Sequence, residues 1–204
     1  MSTLQSTNLK HEASATNNIV LDASGNTSIT GTIAVPAGSA VAPTIAPTGD
    51  TNTGIFFPAA DTIAFTEGGT EAMRLDSSGR LGLGTTGPLA RFDLRGDYKE
   101  GWVSDNTGTA YTIDLSAGTF QTLVLTGNCA FTFPGGTIAG RSFTLTLTQD
   151  ATGGRTVTWP AAVRWPGGTA PTITSTANRT DKFVFTQDGI GRWLGTNAGQ
   201  NYLL

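Results

Sequence analysis

The chain has 204 residues, only 13% of them charged, and a net charge of −3 at pH 7. It has no basic stripe suited to a phosphate backbone and no apolar run near the ~20 residues of a membrane-spanning helix, so neither nucleic acid nor membrane insertion is expected. Its 36 threonines and 27 glycines favour strands and tight turns over long helices, and we predict an all-β fold.

Residues 1–45 contain little material for a core. They begin with MSTLQSTNLKHEAS, which has neither the cationic start nor the apolar centre of a secretory signal, so we expect assembly in the cytoplasm of the producing cell. His11 is the single histidine. Three copies of it could surround a metal ion on a threefold axis, but a lone histidine near a terminus is more often exposed or packed. We therefore predict no metal site.

An internal repeat links this segment to the middle of the chain. LDASGNTSITGT (residues 21–32) and LDSSGRLGLGTT (residues 75–86) align without gaps. In each copy an aspartate, Asp22 or Asp76, can bond its own backbone, and a glycine, Gly25 or Gly79, can adopt a positive φ. This pattern predicts a β-hairpin. A calcium loop would need more carboxylates than the repeat offers.

Residues 46–97 form a segment that we expect to be a β-rich stem. Strands are predicted at residues 55–57, 63–65 and 72–75. The first 97 residues hold four phenylalanines and no tryptophan or tyrosine, too few large side chains for an independent core. We therefore predict that three copies of the stem share one core around a common axis. The predicted trimer core consists of Ile55, Phe56, Phe57, Ile63, Phe65, Leu81 and Leu83.

Gly82, Gly84 and Gly87 have the G-x-G-x-x-G spacing of a dinucleotide-binding loop. Such a loop requires a helix that begins at its last glycine, and Pro88 follows with too few residues for one. The alternation of leucine with glycine instead predicts a strand with a close neighbour on its glycine face. No cofactor is expected.

Residues 98–204 contain all four tryptophans, all three tyrosines and six phenylalanines, enough for a self-sufficient domain. Apolar residues alternate with threonine in SFTLTLTQD, TVTWP and KFVFTQD, and turn signals recur about every 8–12 residues. We predict an antiparallel β-sandwich or jelly roll for this head domain. Cys129 is predicted to be a small buried side chain and not a reactive thiol.

Catalytic groups are sparse in the head domain. Glycoside hydrolysis needs two carboxylates in one cleft, whereas Asp150, Asp181 and Asp188 lie in turn-like contexts. A serine nucleophile with a histidine base is not expected because the only histidine lies near the N-terminus. We expect no catalytic residue and no enzyme.

The stretch TGDTNTGIFFPAADTIAFTEGGTEAMRLDSSGRLGLGTTGPLARFDLRG (residues 48–96) resembles the repeat-bearing stem of bacteriophage tail fibres, with mild departures at Leu81, Leu83 and Gly87. Residues 125–195 are likewise similar to C-terminal domains of such fibres. The resemblance implies a homotrimeric virion protein with its N-terminus toward the particle. Residues 1–45 would then attach to a baseplate, a tail adaptor or a capsid protein.

The function that the resemblance favours is host adhesion, with a host surface glycan or protein as partner. Tryptophan and tyrosine near loop tips suit sugar rings, although a tryptophan in phase with buried valines could equally belong to the core. The receptor-binding candidates are Arg164, Trp165, Trp193 and Tyr202. The alternative keeps the fold and makes the chain a capsid decoration or a baseplate fibre without receptor contact.

Overall fold

The computed structural model describes residues 8–9, 19–21 and 24–203. Within these ranges the protein is all-β, as predicted: it contains strands, a single 3₁₀ turn at Pro166–Gly168 and no α-helix. No helix in the described ranges is long and apolar enough to cross a membrane. The chain divides into two compact units, Met1–Asp97 and Tyr98–Leu204.

The first unit contains two sheets. A small antiparallel sheet consists of β1 (Asn8–Leu9), β2 (Ile19–Leu21) and β3 (Thr27–Ile29). A five-stranded sheet follows in chain order, with β4 (Gly54–Phe56), β5 (Ile63–Glu67), β6 (Thr70–Leu75), β7 (Leu81–Leu83) and β8 (Phe92–Leu94). Pairing is antiparallel from β4 to β7, and β8 lies parallel to β7.

The repeated hairpin is present in both copies with the same register. Leu21 pairs with Thr27 in the first copy, and Leu75 pairs with Leu81 in the second. Each turn has a glycine with positive φ at the corresponding place. The predicted hairpins are therefore confirmed, although Asp22 lies outside the described residues.

The glycine-rich stretch after the second hairpin forms a strand and a corner. Gly82 lies in β7, and a Cβ atom at this position would be 2.8 Å from the carbonyl oxygen of Thr85. Gly84 turns the chain with a φ of 69°. The residues after Gly87 are not helical. The prediction of a strand with a close neighbour on its glycine face is confirmed.

In the second unit the chain passes back and forth between two sheets. Its strands are β9 (Trp102–Asn106), β10 (Ala110–Thr112), β11 (Phe120–Leu125), β12 (Cys129–Thr132), β13 (Ser142–Gln149), β14 (Val157–Thr158), β15 (Val163–Arg164), β16 (Arg179–Gln187) and β17 (Trp193–Leu203). One sheet has the order β15-β17-β16-β13-β11-β9, and the other has the order β10-β12-β14. Strands β9, β11 and β13 are mutually parallel, as are β10, β12 and β14. The successive strand pairs β9–β10, β11–β12 and β13–β14 therefore stack on one another, and we call these three strand pairs the coils.

The antiparallel pairing predicted for this unit is wrong for the three coils. Alternation of apolar and polar residues is the same along parallel and antiparallel strands, so it does not distinguish them. The connections do. The glycine turns around Gly118 and Gly153 are corners at which the chain crosses to the opposite sheet, not hairpins. Antiparallel pairing is confined to β13, β16 and β17, where Asp188 and Gly189 form the hairpin turn. These pairs are not those of a jelly roll.

The core between the two sheets is aromatic. The ring centroid of Phe133 lies 4.8 Å from that of Phe185, 5.1 Å from that of Phe143 and 5.9 Å from that of Trp193. Cys129 is buried in this core, as predicted, and burial raises the pKa of its thiol. A neutral, buried thiol acts as a small apolar side chain.

Three buried glutamines, which the sequence analysis did not single out, hold the corners of the second unit. Gln149 donates from Nε2 to the carbonyl oxygens of Arg155 and Thr174, at 2.9 and 2.8 Å, and its Oε1 accepts the N–H of Arg155. Gln187 likewise uses both ends of its amide, accepting the N–H of Ile138 and donating to the carbonyl oxygen of Gly136, whereas Gln121 donates from Nε2 to the carbonyl oxygens of Gly118 and Asp114. Each satisfies backbone groups that would otherwise be buried without partners.

Candidate functional site

The five-stranded sheet of the first unit presents large apolar side chains to solvent. They form two rows across its strands, because residues paired between neighbouring strands point to the same side. One row contains Ile55, Phe65, Met73, Leu83 and Leu94, and the other contains Ile63, Leu75, Leu81 and Phe92. We call these nine residues the apolar face. Phe92 remains 57% exposed and Phe65 36% exposed, and none of the nine is fully buried.

The opposite side of the same sheet is covered by the unit's own loops. Ala64 and Thr66 are buried there, and the Thr66 hydroxyl donates to the carbonyl oxygen of Ala40 at 2.8 Å. Pro88 lies against Gly82. The chain therefore covers this side of the sheet and leaves the apolar face open to solvent. Contiguous exposed apolar surface of this kind marks interaction sites.

The predicted trimer core overlaps this face only in part. Phe56 is the exception that the structure corrects: it is 4% exposed and lies on the covered side of the sheet. Successive residues of a strand point to opposite sides, so Ile55 and Phe56 cannot both belong to one face. Phe57 follows the strand and is half-buried. The other predicted residues, Ile55, Ile63, Phe65, Leu81 and Leu83, lie on the apolar face.

Four members of the apolar face were missed by the sequence analysis. The signal was present, since apolar residues alternate in AMRL and in RFDLR, but both segments are short and contain arginine. The missed residues are Met73, Leu75, Phe92 and Leu94.

Trp193 is not available to a receptor, contrary to the prediction. It is 1% exposed, its indole N–H donates to the carbonyl oxygen of Pro134 at 3.3 Å, and its ring packs on Phe143. It occupies an inward position of β17 between the partner strands β15 and β16. The neighbouring charged residue, Arg192, does point outward, which made the segment look exposed.

The remaining receptor candidates lie at separate places on the second unit. Trp165 is half-buried, with its ring centroid 5.2 Å from that of Trp159, and its edge lines a shallow pocket of about 270 Å³ together with Thr169 and Asn197. Tyr202 is exposed and lines a different pocket. These pockets are lined by Trp165, Pro166, Thr169, Pro171, Thr196 and Asn197 in the first case, and by Thr146, Thr180, Lys182 and Tyr202 in the second.

Arg164 is exposed beside Trp165, but its side chain folds back on its own backbone. Its Nη1 atom donates to the carbonyl oxygens of Ala161 and Val163. The structure therefore does not gather the predicted receptor residues into one site.

The carboxylates that were weighed as catalytic candidates hold turns together. Asp150 accepts two backbone N–H groups and pairs with Arg155 at 2.7 Å, and Asp188 binds Arg192 in the same way. Asp181 is buried and accepts the backbone N–H groups of Thr174 and Asn201. The described residues contain no cluster of three or more metal-binding side chains. His11 lies outside them.

We expect the folded protein to lose stability as the pH falls below about 4. The hydrogen bond from Arg155 holds the pKa of Asp150 below its ordinary value of 3.8, and Arg80 does the same for Asp76. A carboxyl whose folded-state pKa is lowered stabilises the fold above its unfolded pKa and loses that contribution as the pH falls through the folded value. Thermal unfolding of Asp150→Asn should show a smaller decline between pH 5 and pH 3 than the unaltered chain. If the unfolding temperatures of the variant and of the unaltered chain decline equally over this pH range, the proposed role of Asp150 in the turn is contradicted.

A comparison with known protein families finds one that the second unit resembles. Residues 102–192 match the family model described as "Putative phage tail fibre C-terminal domain". The match runs from the first strand of the unit to the turn before β17. No curated protein and no solved structure shows significant similarity to the chain. This match over the second unit supports the resemblance to phage tail fibre proteins that is seen in the sequence.

Proposed function

We propose that the chain forms a homotrimeric structural fibre of the virion tail, with a stem built by the first unit and a host-binding head built by the second. The observation that carries the proposal is the apolar face, which places nine large side chains on the solvent side of a sheet whose other side is already covered. Residues 1–45 would dock to a baseplate, a tail adaptor or a capsid protein.

A self-associated stem accounts for a sheet face of large apolar side chains that the chain itself leaves uncovered. Full burial of one Leu, Ile, Met or Phe side chain contributes about 1.5–3 kcal/mol. Leaving a continuous patch of them in water would also invite indiscriminate association. Three copies that bring their apolar faces together would remove the patch from solvent. The number three comes from the resemblance of residues 48–96 to tail fibre stems.

Adhesion in this proposal is multivalent and involves no bond cleavage. Each trimer would present three copies of the head, and several fibres would act on one cell surface, so weak single sites combine through effective concentration. The acidic side chains of the head support a binding role over a hydrolytic one, because Asp150, Asp181 and Asp188 are already engaged in turns.

The adhesion proposal is tested with the purified full chain and the bacterial strain that the phage infects. We expect the labelled chain to bind these cells and to slow phage adsorption, while the same chain unfolded by heat does neither. Cell surface polysaccharide incubated with the chain should release no new reducing ends. A folded chain that neither binds the cells nor competes with the phage would contradict adhesion. If electron microscopy of the virion locates the chain on the capsid, the alternative role as a capsid decoration is favoured.

A further inference from the structure

We infer that the second unit carries a saccharide-binding cleft where the unit begins, formed by Tyr98, Trp102 and Phe120. This inference rests on the proposed adhesion function, for which it names a site and a class of receptor. The lining of the cleft does not include the predicted candidates Arg164, Trp165 and Tyr202. It is lined by Tyr98, Lys99, Glu100, Trp102, Phe120 and Thr144, and its volume is about 570 Å³.

The floor of the cleft is an oriented aromatic surface. Trp102 is 58% exposed, whereas the other three tryptophans are half-buried or buried. Its indole N–H donates to the Thr122 hydroxyl at 3.0 Å, which satisfies its only polar group and holds the ring in place. Phe120 pairs with Trp102 in the adjacent parallel strand, so both side chains project from the same face of the sheet, one strand apart. The sheet thus exposes a pre-positioned aromatic platform, with the Lys182 ammonium 5.8 Å from the centroid of the Phe120 ring.

The rim of the cleft is polar and is also held in place. Tyr98 is 72% exposed, and its hydroxyl donates to Oε1 of Glu100 at 3.1 Å. The other carboxylate oxygen of Glu100 accepts the Thr119 hydroxyl, which ties the segment before β9 to the segment before β11. Lys99 adds an ammonium group to the lining. Acceptors, donors and a second aromatic ring therefore surround the platform.

This combination matches the chemistry of a pyranose sugar. A sugar ring has an apolar face of C–H groups that stacks on aromatic rings, and hydroxyls at its edge that bond to carboxylate, ammonium and hydroxyl groups. A nucleic acid would meet the negative charge of Glu100 and no basic stripe. A purely apolar partner would leave the charged rim unpaired. A saccharide uses both parts of the cleft.

The backbone beneath the cleft fixes its shape. A Cβ atom at Gly118 would overlap the carbonyl group of Gly101, so the two segments approach closely only because residue 118 is glycine. The N–H of Phe120 donates to the carbonyl oxygen of Gly101 at 3.1 Å. The segment that carries Tyr98 and Trp102 is therefore anchored to the strand that carries Phe120. A pre-formed site of this kind loses little freedom on binding.

The test uses the full chain and an array of purified bacterial surface polysaccharides, including O-antigens and capsular polysaccharides. We expect binding to at least one glycan, reduced at least tenfold in Trp102→Ala and in Glu100→Gln, and unchanged in the control Ile190→Ala, which removes an exposed apolar side chain from the turn between β16 and β17. Tyr202→Ala is measured beside them because Tyr202 is the rival candidate. Tryptophan fluorescence should respond to the bound glycan in the unaltered chain and not in Trp102→Phe. Far-ultraviolet circular dichroism establishes that each variant is folded.

Four outcomes would overturn the inference. If the chain adsorbs to host cells but binds no glycan on the array, the receptor is not a saccharide. If Tyr202→Ala loses binding and Trp102→Ala does not, the site lies elsewhere on the head. If Trp102→Ala alters the oligomeric mass instead of glycan binding, the cleft is an interface between copies of the chain. If the folded chain binds neither cells nor glycans, adhesion fails, and the cleft fails with it.

Discussion

Replacing Phe65 with glutamate is expected to convert the proposed trimer into single chains. Phe65 lies in β5 on the apolar face, paired with Ile55 of β4 on one side and with Met73 of β6 on the other. The change removes about 2 kcal/mol of apolar burial per chain and places three carboxylates close together in the assembly. Because each 1.4 kcal/mol is a factor of ten, three chains together should lose at least four orders of magnitude in the association constant. Sedimentation velocity over a range of concentrations measures the shift.

Thr86→Glu is the matched control for this variant. It adds the same charge to an exposed residue in the same unit, but in the loop after β7 and outside the apolar face. We expect its mass distribution to match that of the unaltered chain. If both variants, or neither, dissociate, the apolar face is not the surface that holds the copies together.

Replacing Phe185 with alanine is expected to unfold the second unit under mild heating. Its ring is fully buried and contacts Phe133 and Phe143 with centroid separations of 4.8 and 5.0 Å. Removing such a ring from a packed core costs about 3–5 kcal/mol. For a unit of this size, the unfolding temperature should fall by roughly 20 °C. Circular dichroism during heating detects the change.

Val184→Ala provides the comparison for that experiment. Val184 is the preceding residue of the same strand but lies on the outer, half-exposed face of the sheet. We expect it to cost less than about 1.5 kcal/mol. Comparable losses in the two variants would show that the inward face of β16 is not the centre of the core.

The strands and their faces were largely predictable from the sequence, whereas their pairing was not. Alternation in SFTLTLTQD and KFVFTQD identified Phe143 and Phe185 as inward residues because side-chain direction depends only on the strand itself. Whether a strand pairs parallel or antiparallel depends on where the next connection leads. Gly118 and Gly153 permit a corner as readily as a hairpin, so the coiled path of the second unit required the structure.

The candidate surfaces were predictable where alternation was applied strictly and were missed where it was not. Treating Ile55 and Phe56 as one apolar cluster ignored the period of two and put Phe56 on the wrong side. Trp102 carried a usable signal: it is in phase with Ser104 and Asn106, so an aromatic residue occupies the polar phase of its strand. A large apolar side chain in an outward position is a binding candidate more often than one in the inward phase, which is where Trp193 lies.

The mass of the unaltered full chain in dilute solution tests the role of the apolar face most directly. Analytical ultracentrifugation or mass photometry should find a particle of three times the chain mass of 21.1 kDa, with no folded smaller species. A folded, protease-resistant particle of a single chain mass, with the apolar face still open to water, would contradict the account.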